Sequence, residues 1–275
     1  MNSLAGSARW AAAHRARETE KPNALFKDPY ARALAGEEGV EMLRQAEAEN
    51  PQHQIIASYM VIRTRFFDDL MVRAVERGIR QVVLLAAGMD CRAFRFPWPS
   101  DLNIYEIDQP EIVELKTQLL QEQNVKSECK RVALPVMLGD NWDEALLAAG
   151  FSPTQPTLWC AEGIVCYLPE EKAMELLNKI TAMSAPGSMI GADMISHSYL
   201  VYPGMKQVLE ILEQRGLAWR YGHDEPEKLL AGKGWNVVAA QPGEQGANYG
   251  RWLMAPPPRG RGYPHMFLVS GDRTA

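Results

Sequence analysis

The sequence has no apolar run approaching the ~20 residues that a membrane-spanning helix needs. Its opening stretch, "MNSLAGSARWAAAHRARETEK", is broken by Arg, His and Glu where a signal peptide would be continuously apolar. A cytoplasmic location is the expectation. Basic clusters are missing too: 29 Lys and Arg against 34 Asp and Glu give a formal charge of −5 without block asymmetry, which removes the electrostatic footprint of a nucleic-acid binder. Cysteines are few (Cys91, Cys129, Cys160 and Cys166), and neither CxxC spacing nor a His at a zinc-like interval accompanies them, so reduced thiols and no structural metal are expected. There is no internal repeat, and the one biased stretch, "APPPRGRGYP" at 255–264, reads as a proline-rich connector because another apolar run follows it. With membrane and nucleic acid set aside, a small molecule is the expected partner.

What is present is a 47% hydrophobic chain of 275 residues, ample for a large core. "QVVLLAA" (81–87), "LNIYEID" (102–108), "RVALPV" (131–136), "PTLWCAE" (156–162) and "SMIGADM" (188–194) are short, almost wholly apolar runs with helical patterns between most of them. That alternation predicts an α/β fold with a mostly parallel sheet covered on both faces. "WNVVAA" (235–240) and "HMFLVS" (265–270) supply two further strands, the second antiparallel after a long connection, for seven in all. Residues 1–78 read as a helical cap on a core spanning 79–275, the whole forming a single domain.

Ligands in an open α/β sheet sit outside the carboxyl ends of the strands, so the turn after the first strand, "LLAAGMDCRAFRF" (84–96), is the place to look. A dinucleotide fingerprint wants glycines at 86, 88 and 91, where the chain has Ala86, Gly88 and Cys91. The residues that let backbone approach a pyrophosphate are absent, and no GK[ST] builds a P-loop. A cofactor without phosphates, such as S-adenosylmethionine, tolerates those changes. The acid expected about 20 positions on, to hold ribose hydroxyls, is present in "YEIDQP" as Glu106 and Asp108, which strand alternation puts on one side. Asp108, at the strand's end, is the preferred ribose ligand. The alternative for this pair is a plain tight turn at Gly88 and a helix cap at Asp108.

In "IIASYMVIRTRFFDDLMVRAV" (55–75), Ile56, Met60, Phe67, Met71 and Ala74 make one apolar helical stripe, and Arg63 falls on it between Met60 and Phe67. A buried Arg needs an anion. That anion is either an internal carboxylate or the carboxylate of a bound amino-acid moiety, gripped by two parallel hydrogen bonds. Arg65 instead has Asp68 and Asp69 at i+3 and i+4, an ordinary exposed ion-pair arrangement.

Together, "ALFKDPYA", "IRTRFFDD", "LLAAGMDCRAFRFPWP", "YEIDQPEIVELK", "LWCAEGIVCYLP" and "PPPRGRGYPHMFLVS" resemble, in order and over nearly the whole chain, the leucine carboxyl methyltransferase family. The resemblance implies a class I methyltransferase, Rossmann-like fold and S-adenosyl-L-methionine as cofactor. It further implies that Arg63 takes the cofactor's carboxylate, that Gly88 lies against the cofactor, that Asp108 is the ribose acid, and that Glu162 sits close to the methionine part. Two positions depart from the family pattern. Ala86 stands in place of the first glycine of a "GAG" signature. Met137 and Leu138 stand where an Asp-Leu pair would receive the adenine amino group, leaving Leu138 as an apolar adenine contact and Asp140 as a candidate substitute.

The activity this implies is O-methylation of a small organic acceptor, most simply a carboxylate and in a polyketide-like or other secondary metabolite, with a hydroxyl acceptor or a binding-only domain as alternatives. A carboxylate needs no general base, whereas a hydroxyl does. His197, His223 and His265 stand in no motif that names a base, and Tyr167 and Tyr202 read as pocket walls, so no catalytic residue is assigned. A nicotinamide dehydrogenase would want the missing glycines and a Tyr-x-x-x-Lys pair. The acceptor pocket is expected from the cap and the segment after the fifth strand, with Met205, Leu209, Leu212, Trp219 and Tyr221 as apolar lining.

Overall fold

The computed structural model describes residues 3–49, 53–214, 216–260 and 262–274. The five apolar runs become β1 (Gln81–Leu85), β2 (Asn103–Asp108), β3 (Lys130–Pro135), β4 (Thr157–Ala161) and β5 (Met189–Ile195), paired in parallel. Every residue of β1, β4 and β5 is buried, as strands covered on both faces must be. β6 (Trp235–Ala240) and β7 (Met266–Arg273) complete a seven-stranded sheet in the order β3-β2-β1-β4-β5-β7-β6, with β7 antiparallel to both neighbours.

The helices are α1 (Ser3–Glu20), α2 (Ala31–Glu49), α3 (His53–Glu76), α4 (Arg92–Arg95), α5 (Pro110–Glu122), α6 (Trp142–Ala148), α7 (Glu170–Ala182), α8 (His197–Val201), α9 (Lys206–Gln214) and α10 (Pro226–Ala231). Strand alternation sorts the sheet's side chains into two cores. Val83, Leu85, Tyr105, Ile107 and Trp159 face α6, α7 and α10 through Trp142, Leu176, Ile180 and Leu230. Val82, Leu84, Ile104 and Leu158 face α3 and α4 through Phe67, Leu70, Met71, Ala74 and Ala93. Burial of each large α3 side chain contributes about 1.5–3 kcal/mol.

Residues 1–78, read as a helical cap, divide into two parts. α3 carries a continuous large apolar stripe and is one of the helices covering the sheet, lying so close to β5 that a Cβ at Gly191 would collide with Leu70 and Phe67. The cap is α1 with α2, whose smaller faces (Ala12, Ala13, Leu34, Ala35, Leu43) pack on each other and on Met89, Cys91 and Leu120. Polar contacts pin it to the turn after β1. Arg15 Nε donates to Asp28 at 2.9 Å, an Arg15 Nη donates to the Met89 carbonyl, and the Cys91 thiol donates to Asp28 at 2.9 Å. All four cysteines are buried free thiols. No described helix is long and apolar enough to cross a membrane. The proline-rich connector, of which Arg261 lies outside the described residues, is tied to the sheet end by Gln241 Nε2 donating to the Pro257 carbonyl and by Arg259 pairing with Glu227.

Candidate active site

The chain leaves β1 toward β2 and β3 on one side and returns to β4 and β5 on the other, so a crevice opens between the carboxyl ends of β1 and β4. A cavity of about 810 Å³ occupies it, roofed by α1 and α2 and continuing to α9. Arg63, Gly88, Asp108 and Glu162 all line it.

At one end β1 stops two residues earlier than its apolar run because Ala86 takes φ +53° and Gly88 φ +50°. The resulting turn aims the Gly88 N–H at Asp108 Oδ2, 2.6 Å away, while Oδ1 accepts from the Gln109 N–H at 2.7 Å. Gly88 also lies under the cap, where a Cβ would sit 3.3 Å from that of Ala8. Asp108 therefore holds the turn at both its sides, and it keeps an edge on the cavity; burial raises its pKa against those two N–H bonds. Ile112 of α5 closes this end.

Two predicted residues fall elsewhere. Glu106 is on the same side of β2 as Asp108 but one pleat deeper, beneath α5, where its Oε2 takes Lys116 Nζ at 2.9 Å and Arg131 at 2.8 Å. It is 1% exposed and does not line the cavity. Leu138 does not line it either. After β3 the chain turns, with the Asp140 N–H donating to the Met137 carbonyl, and Leu138 packs against the core on the α6 face. Met137 is 48% exposed, and neither it nor Asp140 reaches the cavity.

The other end is an ionic network. Arg63 Nε donates to Glu162 Oε1 at 3.1 Å and Nη1 to Asp193 Oδ2 at 3.0 Å. Asp193 also accepts from the Tyr59 hydroxyl at 3.1 Å and from the Gly163 N–H. Glu162 Oε2 accepts from Arg92 Nη1 at 2.8 Å, and Arg92 goes on to Asp90, Asp68 and the Thr64 carbonyl. Arg95 joins at Asp68. Asp68, expected beside Arg65, is thus drawn inward, and Arg65 pairs with Asp69 alone, at 2.8 Å and 41% exposed. Burial disfavours every charge here, yet Asp193 and Glu162 raise the Arg63 pKa, Arg92 and Arg63 lower that of Glu162, and Arg92, Lys116 and Arg15 lower that of Asp90 to about 2. Three guanidiniums (Arg63, Arg92, Arg95) interleave with four carboxylates (Asp68, Asp90, Glu162, Asp193), with Arg15 and Lys116 adding their charge near Asp90.

Asp193, Arg92, Asp90 and Tyr59 were not singled out from the sequence. The signal for Asp193 was a lone acid inside the apolar run "SMIGADM", and those for Asp90 and Arg92 were charges within the turn itself. Beyond the network the cavity is walled by Ile55, Ile56, Ile164, Tyr167, Tyr199, Met205, Val208, Leu212, Leu217 and Trp219. Of the expected lining, Leu209 is absent and Tyr221 is buried in the sheet's core instead. No histidine among the described residues lines the cavity: His197 is exposed, His223 is half-buried with Nδ1 accepting from the Glu225 N–H, and His265 is buried against Gln241. Burial raises the pKa of Tyr59, Tyr167, Tyr199 and Cys160, leaving them poor proton acceptors near neutrality.

Comparison with known proteins adds relatives to this geometry. The family model described as leucine carboxyl methyltransferase matches residues 8–181. A protein of Streptomyces avermitilis named as an S-adenosyl-L-methionine-dependent methyltransferase is 38% identical over 255 residues, covering 89% of this chain and 87% of its own. One of Frankia alni with the same naming is 38% identical over 273 residues, covering 95% and 92%. Among solved structures, one described as a methyltransferase from Thermobifida fusca superposes with a TM-score of 0.62 at 15% identity, covering 98% of this chain and 94% of that one. The magnesium protoporphyrin IX methyltransferase of Synechocystis, solved with S-adenosylhomocysteine bound, does so at 0.51 and 12%, covering 86% and 95%. At such identities the likeness is one of fold.

Proposed function

From the premise that the chain belongs to the leucine carboxyl methyltransferase family and is an S-adenosylmethionine-dependent methyltransferase, we propose that it methylates the carboxylate of a small, largely apolar organic acid, forming a methyl ester. The observation that carries this reading is the cavity's second half, which is apolar and holds no histidine and no tyrosine or cysteine of lowered pKa among the described residues, while the carboxylates that line the cavity, Glu38, Asp90, Asp108 and Glu162, are engaged by arginines or backbone N–H groups. An ionised carboxylate can attack there unaided, whereas a hydroxyl would need a base.

The residues present fit the cofactor. Arg63 spends Nε and Nη1 on Glu162 and Asp193, which leaves Nη2, beside Gly163, for the amino-acid carboxylate. The anticipated two-pronged grip becomes a single charged hydrogen bond. Glu162 suits the ammonium group, Asp108 the ribose hydroxyls, and Gln109 with Ile112 the adenine, in place of the expected acid. Bound there, S-adenosylmethionine would supply an electrophilic sulfonium methyl group to an acceptor oxygen, with the thioether as leaving group. The protein's part is alignment and exclusion of water. Arg92, engaged at all three guanidinium nitrogens, fixes Glu162, and α1, held by Arg15, covers the turn.

The test is incubation with methyl-labelled cofactor and a panel of apolar acids and alcohols. The product label should be released by mild alkali, as from an ester. Label that survives alkali would point to an ether and refute the carboxylate reading.

A further inference from the structure

α9 is amphipathic but unfinished. α7 buries its apolar face (Ala173, Leu176, Leu177, Ile180) in the core, whereas no residue of α9 is buried. Val208 and Leu212, one helical turn apart, face the cavity, and the outward side carries Lys206 and Glu210 as an exposed ion pair. The segment is anchored at both ends. Before α8, the Ser196 hydroxyl accepts from the Tyr199 N–H at 3.1 Å and the Ser198 N–H donates to Asp224 at 2.9 Å. After α9, the Arg220 and Tyr221 N–H groups donate to the Cys166 carbonyl at 2.7 and 3.2 Å, and the His223 N–H donates to the Ile195 carbonyl at 2.9 Å. Between these anchors α9 packs on α8 and on the turn Pro203–Met205, and Gly216 just beyond it takes φ +71°. An apolar face turned to an open cavity gains its burial energy when something apolar fills the space.

We propose that α9 is an acceptor flap, closing on the hydrocarbon body of the substrate, so that Val208 and Leu212 read the length of its apolar chain. This rests on the methyl-ester reading for the acceptor's polar end. The occupant is an amphiphilic acid, because the same cavity that Val208 and Leu212 line runs on to Arg63 and Glu162, where the cofactor is placed. The flap thus sits where the tail of an acid whose carboxylate meets the methyl group would extend.

The experiment titrates protein saturated with S-adenosylhomocysteine with straight-chain carboxylates of increasing length, and with the matching primary alcohols, following heat and amide hydrogen exchange. Affinity should rise about fourfold per added methylene until the cavity is filled. Amides of 206–214 should gain protection with the acid, not with S-adenosylhomocysteine alone. In Val208→Asn/Leu212→Asn the gain should fall below about twofold per methylene, while S-adenosylhomocysteine binds as in the parent, since neither residue is in the core. No length dependence, an unchanged gain in the double variant, or protection already complete without the acid would overturn the flap. Alcohols binding as tightly as acids, with the length dependence and α9 protection intact, would support the flap and refute the carboxylate reading.

Discussion

Replacing Arg63 separates its ion pairs with Glu162 and Asp193 from the cofactor contact proposed for it. Arg63→Ala removes Nη2 from the position proposed for the cofactor's carboxylate, and a lost charged hydrogen bond costs about 1.5–3 kcal/mol, roughly 10- to 150-fold in Kd for S-adenosylhomocysteine. It also strips Asp193, 8% exposed, of its ion-pair partner, whereas Glu162 retains Arg92. Breaking a buried pair from one side costs about 3–5 kcal/mol of folding stability. Arg65→Ala gives up an exposed pair with Asp69, worth about 0.2–0.5 kcal/mol, and should leave binding unchanged. Arg63→Lys cannot bridge Glu162 and Asp193 while also reaching the cavity, so it should restore neither property fully. Because instability alone could weaken binding, Arg63→Met combined with Asp193→Asn is the deciding variant. It removes both charges and should regain most of the stability but not the affinity. Calorimetric titration with S-adenosylhomocysteine, beside urea unfolding, measures both. An Arg65→Ala loss equal to that of Arg63→Ala, or affinity recovered in the charge-free double variant, would rule out Arg63 as the cofactor's carboxylate ligand.

Three further outcomes are expected. Asp108→Asn should weaken S-adenosylhomocysteine binding at least tenfold, roughly one lost charged hydrogen bond, whereas Glu106→Gln, which strands Lys116, should lower folding stability by about 3–5 kcal/mol and leave affinity nearly intact; the reverse pattern would reassign the ribose acid. Ala86→Gly relieves a left-handed conformation costing about 1–2 kcal/mol, partly offset by a freer unfolded chain, so a net gain of about 0.5–1 kcal/mol in urea unfolding is expected, and a loss would mean Ala86 is unstrained. His14, 4% exposed and stacked on His53, is held neutral to about pH 3 by burial and by His53 and nearby arginines. The unfolded chain takes up that proton below about pH 6.5, so stability present above it should fall by about 1.4 kcal/mol per pH unit as pH drops toward 5. His14→Phe should flatten the slope, and an equal slope in the variant would exclude His14 as its source.

β1, β4 and β5 were legible because full burial leaves nearly uninterrupted apolar runs, and Arg63 because a cation on an apolar helical stripe demands a buried anion, which the fold supplies internally as Glu162 and Asp193. Asp68 misled because i+3 spacing sees partners on one helix and not Arg92 and Arg95 arriving from the turn after β1. Asp193 stayed hidden because one acid in a buried strand has a meaning only once β5 is beside β4 and its oxygens meet Arg63 and the Gly163 N–H. Glu106 and Asp108 share a face in the sequence, and depth along the strand, set by where α5 packs, is what divides them.

Methyl transfer to an ionised carboxylate without a protein base fixes the pH dependence of the single-turnover rate. With the complex of protein, cofactor and apolar acid formed in advance, the rate should be flat from roughly pH 6 to 9, because neither the acceptor nor a required base titrates there. A rate rising tenfold per pH unit to a plateau within that window would show a base at work and contradict it.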